Sequence, residues 1–251
     1  MSRILLGPGY FELLKRAGWK TRHLTTLLIA VLAVYVFWLT RFDWSDMHRW
    51  NRAFGDASVV LVAAAMMIGP VARLWSKFRV LIPWRRELGV WGVVLAIIHT
   101  AIILIGWVNW DFARLFGYEF HPQLDRYVML QHGFGLANIL GIAALVYGVL
   151  LALTSNNLSQ RILGGAVWKF FQQATYVLWA FIVFHTFFFL FLHFQHFHQP
   201  VPKPNWIQWP FVSLVLAVML LHGAAFCKTW RQDRGRRKRS DERVMSRSVE
   251  A

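Results

Sequence analysis

The sequence contains a single cysteine, Cys227, among its 251 residues. One thiol excludes an intramolecular disulfide and the paired-cysteine motifs that bind zinc or carry out redox exchange. It also excludes the two-cysteine sequence through which c-type heme is attached covalently. We therefore expect no function that depends on paired cysteines.

Acidic residues are also scarce, with 12 Asp and Glu against 27 Lys and Arg, a formal net charge of +15. Such a charge can indicate nucleic-acid binding, but here the basic residues form short clusters between apolar runs, as topology determinants of membrane proteins do. There is no GxGxxG fingerprint, catalytic triad, carboxylate pair or phosphate-binding loop. We therefore expect no nucleic-acid partner and no binding of NADPH or FAD by this chain alone.

Long apolar runs are what the sequence has instead. The chain is 57% hydrophobic and 16% charged, with a mean hydropathy of +0.43, which is too apolar for an ordinary soluble domain. Six runs approach the roughly 20 residues needed to cross a hydrocarbon core. They cover residues 24–39, 57–74, 88–108, 133–154, 170–192 and 206–226. The sequence predicts an all-α integral membrane bundle of six transmembrane helices, with Gly69-Pro70 kinking or ending the second.

The basic residues predict the orientation of this bundle. Of the 27 Lys and Arg, 21 lie in the N-terminal segment, in two of the five loops and in the C-terminal tail, whereas 6 lie in the other three loops. By the positive-inside rule, both termini are cytoplasmic. We expect a retained cytoplasmic segment over residues 1–23, a transmembrane domain over 24–226 and a basic cytoplasmic tail over 227–251, with the lipid bilayer as an obligatory partner.

Two histidines, His99 and His185, lie inside predicted spans. Counted from the outer ends of their helices, the two imidazoles lie at depths that agree within roughly 3 Å. Matched imidazoles on two apolar helices suit a heme b iron bound from both faces, without covalent attachment, and Phe181, Phe184, Phe187 and Phe188 could wall the porphyrin. The alternative is two unrelated bundle histidines, each hydrogen-bonded to a carbonyl or hydroxyl group.

Two stretches resemble one family of membrane proteins. They are GPVARLWSKFRVLIPWRRELGVWGVVLAIIHTAI (residues 69–102) and ALTSNNLSQRILGGAVWKFFQQATYVLWAFIVFH (152–185). Both are similar to the heme-binding membrane subunit of the bacterial methionine sulfoxide reductase system (the MsrQ or YedZ family), within the ferric reductase-like transmembrane superfamily. The resemblance implies a multi-pass protein of the bacterial inner membrane that passes electrons to a periplasmic reductase, which in that family contains molybdenum. His99 and His185 fall on the heme-ligand positions.

The chain departs from this family pattern at Gln172, where the family has a further histidine. An amide is a poor ligand for heme iron. We therefore expect one heme b and regard a second as doubtful, with Arg85 and Arg86 as cofactor contacts and Arg85 able to neutralise a propionate. A single heme near the outer leaflet favours quinol over a flavin reductase as the electron donor.

The end of the fifth span carries three more histidines, His193, His196 and His198. They could form an outer metal site, although a solvated helix end before a proline-rich loop is the simpler interpretation. Two other functions stay open: a ferric or metal reductase that uses these histidines, and a redox-inactive membrane assembly or scaffold subunit. In the first interpretation the chain is the electron-transfer subunit of an oxidoreductase system and not a complete enzyme.

Overall fold

The fold is a bundle of membrane-spanning helices, seen in a computed structural model that describes residues 14, 17–129, 132–193 and 205–249, with side chains up to residue 237. In this part of the chain, six helices are long and apolar enough to cross a membrane. They are α1 (Trp19–Leu39), α2 (Asp46–Leu74), α3 (Trp84–Ile102), α5 (Phe134–Thr154), the pair α7 (Gly165–Gln173) and α8 (Thr175–Phe187), and α9 (Gln208–Val249). Two short helices, α4 (Phe112–Leu115) and α6 (Asn157–Leu163), lie between them. The predicted all-α membrane bundle is confirmed.

Apolar side chains cover the outside of this bundle as well as its core. On α1 only Thr26, Ala30 and Val34 are buried, one narrow stripe at helical spacing that packs against the rest of the bundle. Leu28 and Leu32, on the other side of α1, are 62% and 61% exposed. A helix that is apolar all round and packed on one side requires a surrounding that is itself apolar.

Helix α2 is the centre of the bundle and packs against α1, α3, α8 and α9. Its buried positions are rich in small residues, which let neighbouring helices approach closely; they include Ala53, Ala57, Ser58, Ala63, Ala65 and Ala72. The hydroxyl of Ser58 donates to the carbonyl of Gly92 on α3 at 2.7 Å. The helix continues through Pro70 to Leu74, where the second span was predicted to end, so of the two effects expected of Gly69-Pro70 the ending of the helix is wrong.

The end of α2 is capped from another helix. The ammonium group of Lys228, on α9, donates to the carbonyls of Arg73 and Leu74 at 2.8 and 2.9 Å. These carbonyls have no partner within their own helix, so the cation satisfies acceptors that a helix end leaves open. Helix α9 itself runs for 42 residues, about 63 Å at 1.5 Å per residue. The predicted boundary at residue 227 therefore falls inside a continuous helix.

Two structural features lie outside the predicted elements. Helix α2 begins at Asp46, eleven residues before the predicted start of the second span. Between α3 and α5, an antiparallel hairpin pairs β1 (Tyr118–His121) with β2 (Arg126–Met129). Aromatic and β-branched residues favour these short strands, and the intervening turn contains Pro122 and Asp125.

Two buried ion pairs join helices. The guanidinium of Arg22 on α1 donates to the carboxylate of Glu87 on α3 at 2.9 Å, and the Glu87 side chain is 1% exposed. Arg41, after α1, binds the carboxylate of Asp56 on α2, and both side chains are buried. Breaking such a pair leaves an uncompensated charge, which costs far more than the pair contributes when intact.

We predict that Arg22→Ala destabilises the protein by about 3–5 kcal/mol because it leaves the Glu87 carboxylate buried alone. Unfolding of the purified protein in detergent measures the change. The matched control is Arg114→Ala, which breaks the solvent-exposed pair of Arg114 and Glu119 at 3.7 Å and is expected to cost about 1 kcal/mol or less. Adding Glu87→Gln to Arg22→Ala is expected to recover stability. Equal losses in Arg22→Ala and Arg114→Ala would contradict the prediction.

Candidate functional site: a histidine-lined intramembrane cavity

The two intramembrane histidines hydrogen-bond to the backbones of neighbouring helices. His99 on α3 places Nδ1 2.9 Å from the carbonyl oxygen of Asn51 on α2. His185 on α8 places Nδ1 2.7 Å from the carbonyl oxygen of Ala137 on α5. A carbonyl oxygen only accepts, so Nδ1 carries the proton in each ring. The other nitrogen, Nε2, is then left with a lone pair that can bind a metal ion.

Both imidazoles line one cavity of about 740 Å³ between α2, α3, α5 and α8. This volume is within the range of cofactor and ligand sites. The lining is mostly aliphatic and aromatic, and the ring of Phe189 lies 4.9 Å from that of His185. Val62, Val93 and Leu178 line the end of the cavity that lies farthest from the start of α2. The structure thus brings together the two residues that the sequence placed at equal depth.

The walls of the cavity differ from those predicted. Its aromatic lining comes from Trp44, Phe134, Phe189 and three side chains of the segment after α3, namely Trp107, Phe112 and Phe116. The four phenylalanines predicted to wall a porphyrin, Phe181, Phe184, Phe187 and Phe188, are not among the lining residues. Phe181 packs against the ring of Tyr147, and Phe184 and Phe187 are exposed on the outside of α8. An unbroken aromatic run in the sequence does not reveal which face turns inward.

A half-buried cation also faces the cavity, and it was not among the predicted site residues. Arg52 lines the wall, and its guanidinium donates to the carbonyl of Phe189 at 3.4 Å. Asp56, one turn further along α2, lines the same wall and binds Arg41. An arginine in an apolar cavity suits a carboxylate or phosphate on a ligand. The sequence assigned Arg52 to a loop because the predicted span began after it.

Arg85, Arg86 and Gln172 lie away from the cavity. Arg86 binds the carbonyl of Ser155 and donates to the Asn157 side chain at 3.2 Å. The Gln172 amide donates to the Thr154 hydroxyl at 3.4 Å. Arg85 is exposed near Gly69 of α2. Neither of the two arginines predicted as cofactor contacts lines this cavity, and Gln172 joins α7 to the end of α5.

Of the three outer histidines, His193 lies at the cavity, whereas His196 and His198 lie outside the described residues. The ring of His193 packs on those of Phe134 and Phe189, with centroids 5.5 and 5.4 Å apart. Burial among these rings, with Arg52 and His48 nearby, lowers the pKa of His193 to about 4. Within residues 17–129, 132–193 and 205–237, no three His, Cys, Asp or Glu side chains are grouped to hold a metal ion.

Comparison with known proteins shows a family match and one similar protein for this chain. Residues 54–183, about half of the chain, match the family described as ferric reductase like transmembrane component. A second match is the magnetosome protein MamZ of Magnetospirillum gryphiswaldense, 27% identical over 135 residues. That alignment covers 54% of this chain and 19% of MamZ, so the chain spans about a fifth of the length of this relative. The family match contains His99 and ends two residues before His185.

The lowered pKa of His193 predicts a pH dependence. Between pH 6.5 and about 4 the unfolded chain binds a proton at His193 that the folded protein does not, so stability falls as the pH is lowered through this range. We expect His193→Gln to lose less thermal stability than the wild type on acidification. The matched control is His132→Gln, at an exposed turn, which is expected to keep the wild-type slope. Parallel slopes for wild type and His193→Gln would contradict the prediction.

Proposed function

The chain belongs to the family of ferric reductase like transmembrane components, and from this premise we propose that it is a heme b electron-transfer subunit. One observation carries the proposal: two imidazoles on different helices line one large apolar cavity, each with Nδ1 donating to a backbone carbonyl. Two unrelated bundle histidines would each make such a hydrogen bond as well, but they would have no reason to line the same cavity. A protonated Nδ1 and a free Nε2 are the form in which histidine commonly binds a metal.

The residues present fit a heme. His99 and His185 would hold the iron, and their bonds to the Asn51 and Ala137 carbonyls orient the rings and increase their basicity. Arg52 would neutralise a propionate, the role that the sequence assigned to Arg85. A bound heme supplies one-electron transfer at a potential that the ligands and their burial tune.

The packing of the inner half supports a single heme. At the inner end of the cavity the backbone of Gly92 lies close enough to Val62 that an added Cβ would be 2.9 Å from the valine side chain. Leu151 and Trp179, which do not line the cavity, are buried and pack in apolar clusters with the lining residues Leu178 and Val62, respectively. Gln172 occupies the family position for a further ligand and is engaged with Thr154. We propose one heme b, placed towards the outer side of the bilayer.

This placement leads to our proposal for the partners. Arg85, near the inner end of α3, lies fourteen residues before His99, about 21 Å along the helix axis. A donor dissolved in the cytosol would have to pass electrons across that distance, whereas quinol can approach from within the bilayer. We propose quinol as the donor and a periplasmic reductase as the acceptor, in the inner membrane of a bacterium.

The first test of this function is the heme content of the purified protein. Pyridine hemochrome analysis is expected to give about one heme b per chain in the wild type, and His99→Ala or His185→Ala is expected to remove it because each change deletes a side chain that would hold the iron. The matched control is His222→Ala, since His222 lies in α9 away from the cavity and is expected to leave the heme in place. A wild type without heme, when heme is supplied during expression, would overturn the proposal.

The second test concerns the donor. Mixing the oxidised protein with a soluble quinol is expected to reduce the heme faster than mixing it with enzymatically reduced flavin, followed by absorbance in a stopped-flow instrument. Dithionite serves as the control for complete reduction. If reduced flavin were as fast as quinol, a route from the cytoplasmic surface would have to exist and the quinol assignment would be wrong.

A further inference from the structure

His99 and His185 make the same kind of hydrogen bond, and the sequence separation between histidine and acceptor is the same in both cases. Each Nδ1 donates to a carbonyl exactly 48 residues earlier, that of Asn51 for His99 and that of Ala137 for His185. Four residues after each carbonyl, on the same helix face, is a glycine: Gly55 on α2 and Gly141 on α5. In an α-helix the N–H of residue 55 also donates to the carbonyl of residue 51, so one carbonyl accepts from both the glycine and the histidine.

Neither glycine has room for a side chain. A Cβ at residue 55 would lie 3.0 Å from Nδ1 and 3.1 Å from Cε1 of His99. A Cβ at residue 141 would lie 2.6 Å from both Cε1 and Nδ1 of His185. Carbon atoms in contact are normally separated by about 3.5–4.0 Å. The imidazole ring therefore lies over the backbone of the glycine, and any larger residue would displace it.

The correspondence extends beyond these contacts. Residues 51, 55 and 99 correspond to 137, 141 and 185 at an offset of 86, and a threonine follows each histidine. Both ligand helices pass into a π-helical turn shortly after the histidine, at Ile103–Trp107 and at Phe188–Leu192. Seven residues before each histidine the ligand helix meets its partner helix, through Gly92 against Val62 in one pair and Leu178 against Gly148 in the other. The glycine of this contact lies on the ligand helix in the first pair, as Gly92, and on the partner helix in the second pair, as Gly148.

We infer that α2–α3 and α5–α8 are two copies of one ligand-seating unit, in which glycine sets the orientation of the imidazole. Gly55 and Gly141 are positioning residues: they contact no iron, but they admit the ring to the carbonyl that fixes it. The inference rests on the proposed function, because it assigns these residues a role at the heme site. Contacts that orient a metal ligand typically contribute a factor of about 10 to 100 in metal affinity.

The test replaces each glycine by alanine. Gly141→Ala is expected to lower heme affinity about tenfold or more and to shift the low-spin electron paramagnetic resonance signal, because the ring must rotate away from Ala137. Gly55→Ala is expected to do the same to a smaller extent, since its Cβ is less crowded. Gly89→Ala on α3 and Gly223→Ala on α9 are matched controls with open space around the added methyl group, and both are expected to keep the wild-type signal. Full heme content and an unchanged signal in both Gly55→Ala and Gly141→Ala would overturn the inference.

A double-mutant cycle on the heme-free protein tests the same contact independently. Gly141→Ala is expected to lower the thermal unfolding midpoint in the wild-type background but not in the His185→Ala background, where the ring is gone. The pair Gly55→Ala and His99→Ala is expected to behave likewise. An equal loss in both backgrounds would mean that the glycine serves helix packing alone, and the seating role would be wrong. Because this cycle needs no heme, it stands even if the wild type proves to contain none.

Discussion

The bond between a buried imidazole and a helix carbonyl is the interaction on which the rest of this structure depends. An imidazole inside a bilayer is costly unless its polar atoms are satisfied. Here each Nδ1 finds a backbone acceptor on a neighbouring helix, which holds the ring, determines the tautomer and directs the free nitrogen. The helices must therefore stay in register to within a fraction of a turn, and the small residues, ion pairs and caps of the bundle serve that requirement.

Helix α2 meets most of this requirement. It supplies the carbonyl for His99 and lines the cavity with Arg52 and Asp56, while its small buried residues bring α3 close. The charged side chains near the start of α2 are compensated within the protein. The Arg49 guanidinium lies 3.4 Å from the centre of the Trp38 ring, and Asp56 binds Arg41. At the end of α2, the ammonium group of Lys228 caps the carbonyls of Arg73 and Leu74. The same helix thus carries both the structural and the chemical features of the site.

The spans and the two histidines could be predicted from the sequence because both follow from composition and length along a single helix. The start of α2 could not, since a search for apolar runs stops at Arg52 and Asp56, whose charges are compensated only in three dimensions. For the same reason Arg52 was missed at the site and Arg85 was expected there instead. The role of Gly55 and Gly141 could not be predicted either, because it depends on which helices are in contact. The sequence showed no convincing internal repeat because the two units share few identical residues and exchange small for large between partner helices.

A contact made by a backbone carbonyl has a consequence for how this site can vary. The residue that accepts the bond from each histidine contributes no side-chain atom to it, and accordingly it is asparagine in one unit and alanine in the other. Substitutions at those two positions leave the acceptor in place, so related chains are free to differ there while keeping the same site. What must persist is the empty space beside the acceptor, which a sequence records only as the absence of a side chain.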